Sequence, residues 1–258
     1  MSAILFDLDG VLYEGNRVIA GAADTVNWFI DNQIPHLFVT NTTSISRLEL
    51  VEKLEQFGIT SKADDFLTPP IAATQFLISH KLRNIALFVP AKTRTEFSEF
   101  SEVDANTKAP DAVVIGDLAE CWDFETMNRV FNLLIENPKT KLIALGMTRY
   151  WRNAGQLQLD VGPMIKAFEY ATDKKAIVTG KPAKAFFQAA LSLLDDENEA
   201  VMIGDDIVGD VQAAQDAGLK AIQVRTGKFT EHDLTLNIKP DAVLDSIANL
   251  PQWWQQNR

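Results

Sequence analysis

The sequence is short of several things, and each shortage removes a class of explanation. It has one cysteine in 258 residues, Cys121, so no intrachain disulfide can form and no Cys-rich zinc site can be built. Its three histidines, His36, His80 and His232, stand in unrelated segments without metal-ligand spacing, and packing or surface roles are expected for them. Basic residues are in deficit, with 24 Lys and Arg against 35 Asp and Glu and a formal charge of −11. A chain of that sign gains nothing from releasing nucleic-acid counterions, and anionic bilayers repel it. Neither a nucleic acid nor a membrane is therefore an expected partner. No apolar run reaches the length of a bilayer span. The stretch Met1–Asp7 has no basic start and no small-residue cleavage site, so a soluble, cytoplasmic protein is expected.

What is present is ordinary globular material, 47% hydrophobic and 23% charged, in a chain long enough to exceed one ordinary domain. Short apolar, β-rich runs alternate with amphipathic stretches, the pattern of an α/β fold. Strands are expected at Ala3–Phe6, Pro35–Val39, Ile85–Val89, Ala112–Ile115, Leu142–Ala144, Ala176–Val178, Ala200–Ile203, Leu219–Val224 and Ala242–Leu244. Helices are expected at Gly21–Ile30, Ile71–His80, Phe124–Glu136, Met164–Ala171, Ala183–Leu194 and Val208–Ala217, and along the stripe Ile45, Leu48, Val51, Leu54 and Phe57. Cys121 is expected to pack, Trp253-Trp254 to pin the last helix, and Asp195-Asp196-Glu197 to form a solvated turn.

Four strand ends carry the chemistry. Asp7-Leu8-Asp9-Gly10 follows the first apolar run, at the edge where open α/β sheets bind ligands. Two carboxylates so close repel one another unless a cation neutralises one or one keeps a proton. One could attack an electrophile while the other shuttles a proton; the bland alternative is a solvated turn. Gly204-Asp205-Asp206, with Asp210 one turn on, follows another apolar run. An oxygen-only cluster of this kind suits Mg²⁺, and the alternative is charge complementing a helix N-terminus. Thr40-Asn41 ends a third strand and offers hydroxyl, amide and backbone N–H groups to an anion. Gly180-Lys181-Pro182 places one ammonium at a fourth, where a lone lysine is otherwise a surface charge.

Taken together and in this order, Asp-x-Asp-Gly, Thr-Asn, Gly-Lys-Pro and Gly-Asp-Asp resemble the four motifs of the haloacid dehalogenase superfamily, over essentially the whole chain. The spacing resembles its NagD-like branch. Val39-Thr40-Asn41-Thr42-Thr43, Phe168-Glu169-Tyr170-Ala171-Thr172-Asp173 and Val201-Met202-Ile203-Gly204-Asp205-Asp206 are similar to the phospholysine phosphohistidine inorganic pyrophosphate phosphatase-like relatives. The resemblance implies a Rossmann-like parallel sheet with an inserted α/β cap, with a discontinuous core over 1–79 and 178–258 and the cap over 80–177. It implies an Mg²⁺-dependent phosphoric monoester hydrolase or inorganic pyrophosphatase-like enzyme working through an aspartyl-phosphate. Asp7 would be the nucleophile and Asp9 the general acid/base. Thr40, Asn41 and Lys181 would hold the phosphoryl group. Mg²⁺ would rest on Asp7, the backbone carbonyl of Asp9 and Asp205, with Asp206 and Asp210 behind them or reaching the ion through water.

The substrate implied is a small phosphorylated compound, pyrophosphate or a phosphoamino acid among them, and a homodimer through the cap is implied as well. In the expected cap, Arg149 and Tyr150 form part of an Arg- and aromatic-rich segment, and Gly162 lies in a stretch resembling the loop that closes over the site in the branch. These are the candidate specificity positions, with plain packing and a helix start as the alternatives. Phosphoryl transfer to an acceptor other than water, and a phosphate-sensing scaffold with little turnover, are the competing readings.

Overall fold

A computed structural model describes residues 3–103, 109–153, 156–194 and 200–257, with 151–153 described by backbone alone. The run Asp195-Asp196-Glu197 lies outside the described residues. The chain divides into two compact units, Met1–Thr40 with Arg47–Leu67 and Lys181–Arg258, and Asn41–Ser46 with Thr68–Gly180.

In the first unit six parallel strands run in the order Ala242–Leu244, Lys220–Val224, Ala200–Gly204, Ala3–Asp7, His36–Val39, Phe66–Leu67. Ala3, Ile4, Leu5 and Phe6 are fully buried, as expected of a parallel strand covered on both faces. Phe6 meets Phe29 of helix Ala22–Asp31 edge-on at 5.4 Å, and Phe29 meets the buried Trp254 of helix Leu250–Gln256 at 5.0 Å. Each such pair adds roughly 0.5–1.5 kcal/mol beyond its buried area. From Ala3–Asp7 the chain passes to the neighbour His36–Val39 on one side, and later returns to Ala200–Gly204 on the other. The winding therefore reverses at the Asp7 strand, and ligands of such sheets gather at the carboxyl ends beside that reversal.

The second unit carries its own five-stranded parallel sheet, ordered Ile177–Val178, Lys141–Ala144, Ala112–Ile115, Asn84–Phe88, Ser101–Glu102. Side-chain alternation along its strands serves two cores. Ile85, Ala112, Val114 and Ile143 pack with Ala73 and Leu77 of helix Pro69–Ser79. Ala86, Val113, Ile115 and Ala144 pack with Val130 and Leu134 of helix Phe124–Ile135 and with Ile165 and Phe168 of helix Val161–Thr172. Helix Pro69–Ser79 thus belongs to this unit's packing, whereas the expected boundary lay after it.

Some expectations change. Leu48 is 68% exposed, and helix Arg47–Gln56 buries Leu50 and Leu54 instead. A strict three-residue stripe drifts around a helix of 3.6 residues per turn. Cys121 is exposed, and its neighbour Trp122, with far more apolar area to bury, packs against the core in its place. Two antiparallel hairpins were not foreseen, Tyr13–Glu14 with Arg17–Val18 and Tyr150–Asn153 with Gln156–Leu159. The segment Val208–Ala217 begins as wide π-type turns over Ile207–Gln212 and becomes α-helical only at Ala213–Asp216. Among the described residues no helix is long and apolar enough to cross a membrane.

Candidate active site

The first unit's sheet delivers its acids to one edge. Asp7 is the last residue of its strand, and Asp205 follows Gly204, the last residue of the strand beside it. Asp7, Asp205 and Asp210 are all buried, and each offers a carboxylate oxygen within 4.8 Å of the others. Lys181 is buried among them and donates to Asp7 Oδ1 at 2.7 Å and to Asp210 Oδ1 at 2.6 Å. The ammonium and nucleophile candidates lie 174 positions apart in the chain, so only the fold brings them together.

One ammonium does not balance three buried carboxylates. Burial, and next to it the charge of Asp210, push the Asp7 carboxyl up to about 8 against the pull of Lys181. Burial likewise lifts Asp205 to about 6, although the Lys228 backbone N–H opposes it. Burial alone would depress the Lys181 ammonium, but Asp210 and Asp7 raise it above the ordinary lysine range. The cluster therefore has room, electrostatically, for more positive charge. It also has an atom waiting for it: Asp205 Oδ1 is buried without a hydrogen-bond partner. An all-oxygen donor set with an orphaned carboxylate oxygen fits a hard divalent cation such as Mg²⁺.

The resemblance set Asp206 and Asp210 alike behind the ligands, and the structure separates them. Asp210 joins the buried cluster, where its Oδ2 also accepts the Asp206 N–H at 3.1 Å. Asp206 turns to the helix start, accepting from the N–H groups of Val208 at 3.1 Å and Gly209 at 2.8 Å and pairing with Lys228 Nζ at 3.1 Å. Burial would raise the Asp206 carboxyl, but the Gly209 N–H and the Lys228 charge outweigh it and hold it below the usual range.

Asp9 is exposed, with a long hydrogen bond from the Gly15 N–H at 3.4 Å. Beside its turn, Tyr13 is buried with its hydroxyl pKa raised by burial and by Asp9 and Asp7, and Lys53 Nζ stands 3.8 Å from the Tyr13 ring centroid. Thr40 is buried and directly follows Val39, the register partner of Asp7. Asn41 is exposed and groups with the second unit.

In that second unit, Arg149 and Tyr150 are exposed. The Arg149 carbonyl accepts the Asp160 N–H at 3.1 Å. Asp160 caps helix Val161–Thr172 by accepting the Val161 N–H at 2.6 Å. Gly162 lies in that first turn, and a Cβ on it would come within 2.5 Å of the Thr148 carbonyl oxygen. Close backbone approach is thus its local requirement.

Reading the sequence missed Thr226, Gly227 and Lys228. The Lys228 N–H donates to Asp205 Oδ2 at 2.7 Å, and the Thr226 hydroxyl donates to the Gly10 carbonyl at 2.5 Å. The available signal was one more glycine just past an apolar strand, at Val224-Arg225-Thr226-Gly227.

With the geometry in hand, the chain can be set beside known proteins. A family model described as haloacid dehalogenase-like hydrolase matches residues 4–101, and a second, described as HAD-hydrolase-like, matches residues 178–250. The chain is 41% identical over 251 residues to the human phospholysine phosphohistidine inorganic pyrophosphate phosphatase, covering 95% of this chain and 91% of that one. A hypothetical protein of Pyrococcus horikoshii superposes with a TM-score of 0.90 at 26% identity, over 98% of this chain and all of that one (100%). NagD of Escherichia coli shares the fold, with a TM-score of 0.84 at 22% identity over 96% of this chain and 98% of that one.

Proposed function

The chain belongs to the haloacid dehalogenase-like hydrolases, and from that premise we propose that it is an Mg²⁺-dependent phosphatase of small phosphorylated compounds, acting through an aspartyl-phosphate on Asp7. The observation that carries this reading is the buried cluster itself, with Asp7 held by Lys181 at 2.7 Å beside Asp205 and Asp210.

Asp7, the backbone carbonyl of Asp9 and Asp205 would hold the ion, with Asp210 at their side. When bound, Mg²⁺ supplies the positive charge that lets an anionic phosphoryl group approach a carboxylate. Lys181 keeps Asp7 in place through its hydrogen bond and adds charge for the phosphoryl oxygens, with Thr40 and Asn41 as further contacts. The Asp7 oxygen attacks phosphorus, the bond to the leaving oxygen breaks, and Asp9 protonates that oxygen. Asp9 then takes a proton from water, which attacks the same phosphorus and returns phosphate and the free Asp7 carboxylate. The exposure of Asp9 suits a group that must meet both the leaving group and water. Asp206 serves the helix start and Lys228.

The second unit is the proposed cap, with Arg149, Tyr150 and Gly162 as the positions that read the leaving group. By its likeness to the human relative, pyrophosphate and phosphoamino acids are the substrates to try first. A cytoplasmic homodimer completes the reading, joined through the second unit, whose hairpin exposes Tyr150, Leu157 and Leu159; light scattering on the purified protein should give twice the chain mass. The deciding experiment is hydrolysis of p-nitrophenyl phosphate and pyrophosphate, silenced by EDTA and restored by Mg²⁺. Undiminished turnover in EDTA would overturn the metal-dependent mechanism.

A further inference from the structure

The segment just past strand Lys220–Val224 takes no chemical step in the scheme above, yet it touches that scheme at three points. The Thr226 hydroxyl donates to the carbonyl of Gly10 at 2.5 Å, the Lys228 N–H donates to Asp205 Oδ2 at 2.7 Å, and Lys228 Nζ pairs with Asp206 Oδ2 at 3.1 Å. Between them, Gly227 passes so close that a Cβ would stand 2.1 Å from Asp205 Oδ2 and 2.5 Å from the Gly10 Cα. From the other side, a Cβ on Gly10 would stand 2.0 Å from the same Oδ2. One oxygen of Asp205 is therefore wedged between two bare glycine Cα positions and hydrogen-bonded to backbone, while the other, Oδ1, is buried and unpartnered.

We infer that Thr226-Gly227-Lys228 is a positioning loop that aims Asp205 at the cation, and that Gly227 is its critical residue. The inference rests on the proposed metal site and deepens it. A carboxylate held by one oxygen cannot swing, so its second oxygen is presented at fixed geometry without an ordering penalty when the ion arrives. Lys228 contributes through its backbone N–H, and its side chain ties Asp206 to the same loop. The Thr226 hydroxyl fastens the loop to the turn that carries Asp9.

Gly227 has φ +63, so an alanine there combines backbone strain with the collision. Gly218 separates the two effects, because it has φ +92 and nothing within 4 Å of its would-be Cβ. The test is calorimetric titration of Mg²⁺ into the wild type, Gly227→Ala, Gly218→Ala, Thr226→Val and Thr226→Ser. Gly227→Ala should weaken Mg²⁺ binding by about 10–100-fold, the range for loss of a group that orients a ligand. Gly218→Ala should bind like the wild type although it is less stable. Thr226→Val should weaken binding and Thr226→Ser should restore it, a comparison that stands even where Gly227→Ala fails to fold. Equal Mg²⁺ affinity in Gly227→Ala and Gly218→Ala, or in Thr226→Val and Thr226→Ser, would overturn the inference alone. A wild type that binds no Mg²⁺ would overturn the metal site itself and the inference with it.

Discussion

Two parallel sheets of similar make stand in this chain, and their carboxyl edges differ. In the first unit the strands run out into Asp7, Thr40 and Asp205; in the second they run out into Val89, Gly116 and Leu145. Each unit also has a lysine held by several oxygens. Lys181 is gripped by the carboxylates of Asp7 and Asp210, whereas Lys174 donates to the backbone carbonyls of Asn137 at 3.3 Å, Pro138 at 2.9 Å and Thr140 at 3.1 Å. The first arrangement leaves buried negative charge that a cation can neutralise. The second ties an ammonium to neutral backbone carbonyls and closes a loop, with burial and Lys141 holding its pKa below the ordinary lysine range. Architecture is thus common to both units, and what separates them is whether buried acids meet at the strand ends.

The strongest way to break this comparison is at Asp7. Asp7→Asn should lower kcat by about 10⁴-fold or more, as loss of a nucleophile does, with circular dichroism unchanged. A variant that turns over normally would erase the distinction between the edges. Metal removal probes the same imbalance without mutation. At Mg²⁺ about 100 times its Kd, the wild type should be about 2.7 kcal/mol more stable to urea than in EDTA, because the ion neutralises charge that folding had to bury. An unchanged urea midpoint would mean that the cluster takes no ion.

Lys174→Met should reverse the pattern of effects. It should cost about 0.5–1.5 kcal/mol in chemical denaturation, the net worth of a hydrogen bond at a part-exposed site, while kcat stays within about twofold. The smallest effect is expected at Asp160, whose carboxyl is pushed up by burial and by Asp117 against the Val161 N–H. A raised folded-state pKa means stability that is present below the unfolded carboxylate range and lost as pH rises through the folded value. Asp160→Asn keeps a capping acceptor and removes the charge. Its unfolding free energy, followed by thermal melting, should therefore gain on the wild type as pH climbs above about 4, by less than about 0.5 kcal/mol at this part-exposed site. A gain that shrinks with pH would reverse the sign argued here.

How much of this could be read beforehand follows from the range of the forces involved. The expected strands at Ala3–Phe6 and Ala112–Ile115 match the observed ones to within a residue, because burial on both faces leaves an unbroken apolar run in the sequence itself. The hairpin Tyr150–Asn153 with Gln156–Leu159 left no such run, since Tyr150 and all of Gln156–Leu159 are exposed and the Gln-Leu-Gln-Leu alternation is only four residues long. Leu48 misled because an apolar residue on a helix announces a face only when its neighbours agree on the angle. Cys121 misled because the larger Trp122 beside it took the buried position.

The sequence by itself determined that this is an α/β protein with acids, a threonine and a lysine each placed directly after an apolar strand. Strand formation and strand-end placement are local, and the parallel fold then sends the ends bearing Asp7, Thr40 and Asp205 to one edge of one sheet. Lys181 instead follows Ile177–Val178, a strand of the other sheet, and meets Asp7 only in the folded chain. Which of the neighbouring acids would do what was decided only by the tertiary structure. Asp206 is claimed by the helix start and Lys228, Asp210 is drawn to Lys181, and Asp205 is fixed by a backbone N–H 23 positions along the chain. A carboxylate's role depends on the direction of its oxygens and on what else reaches them, and both are set by segments that meet only when the chain has folded.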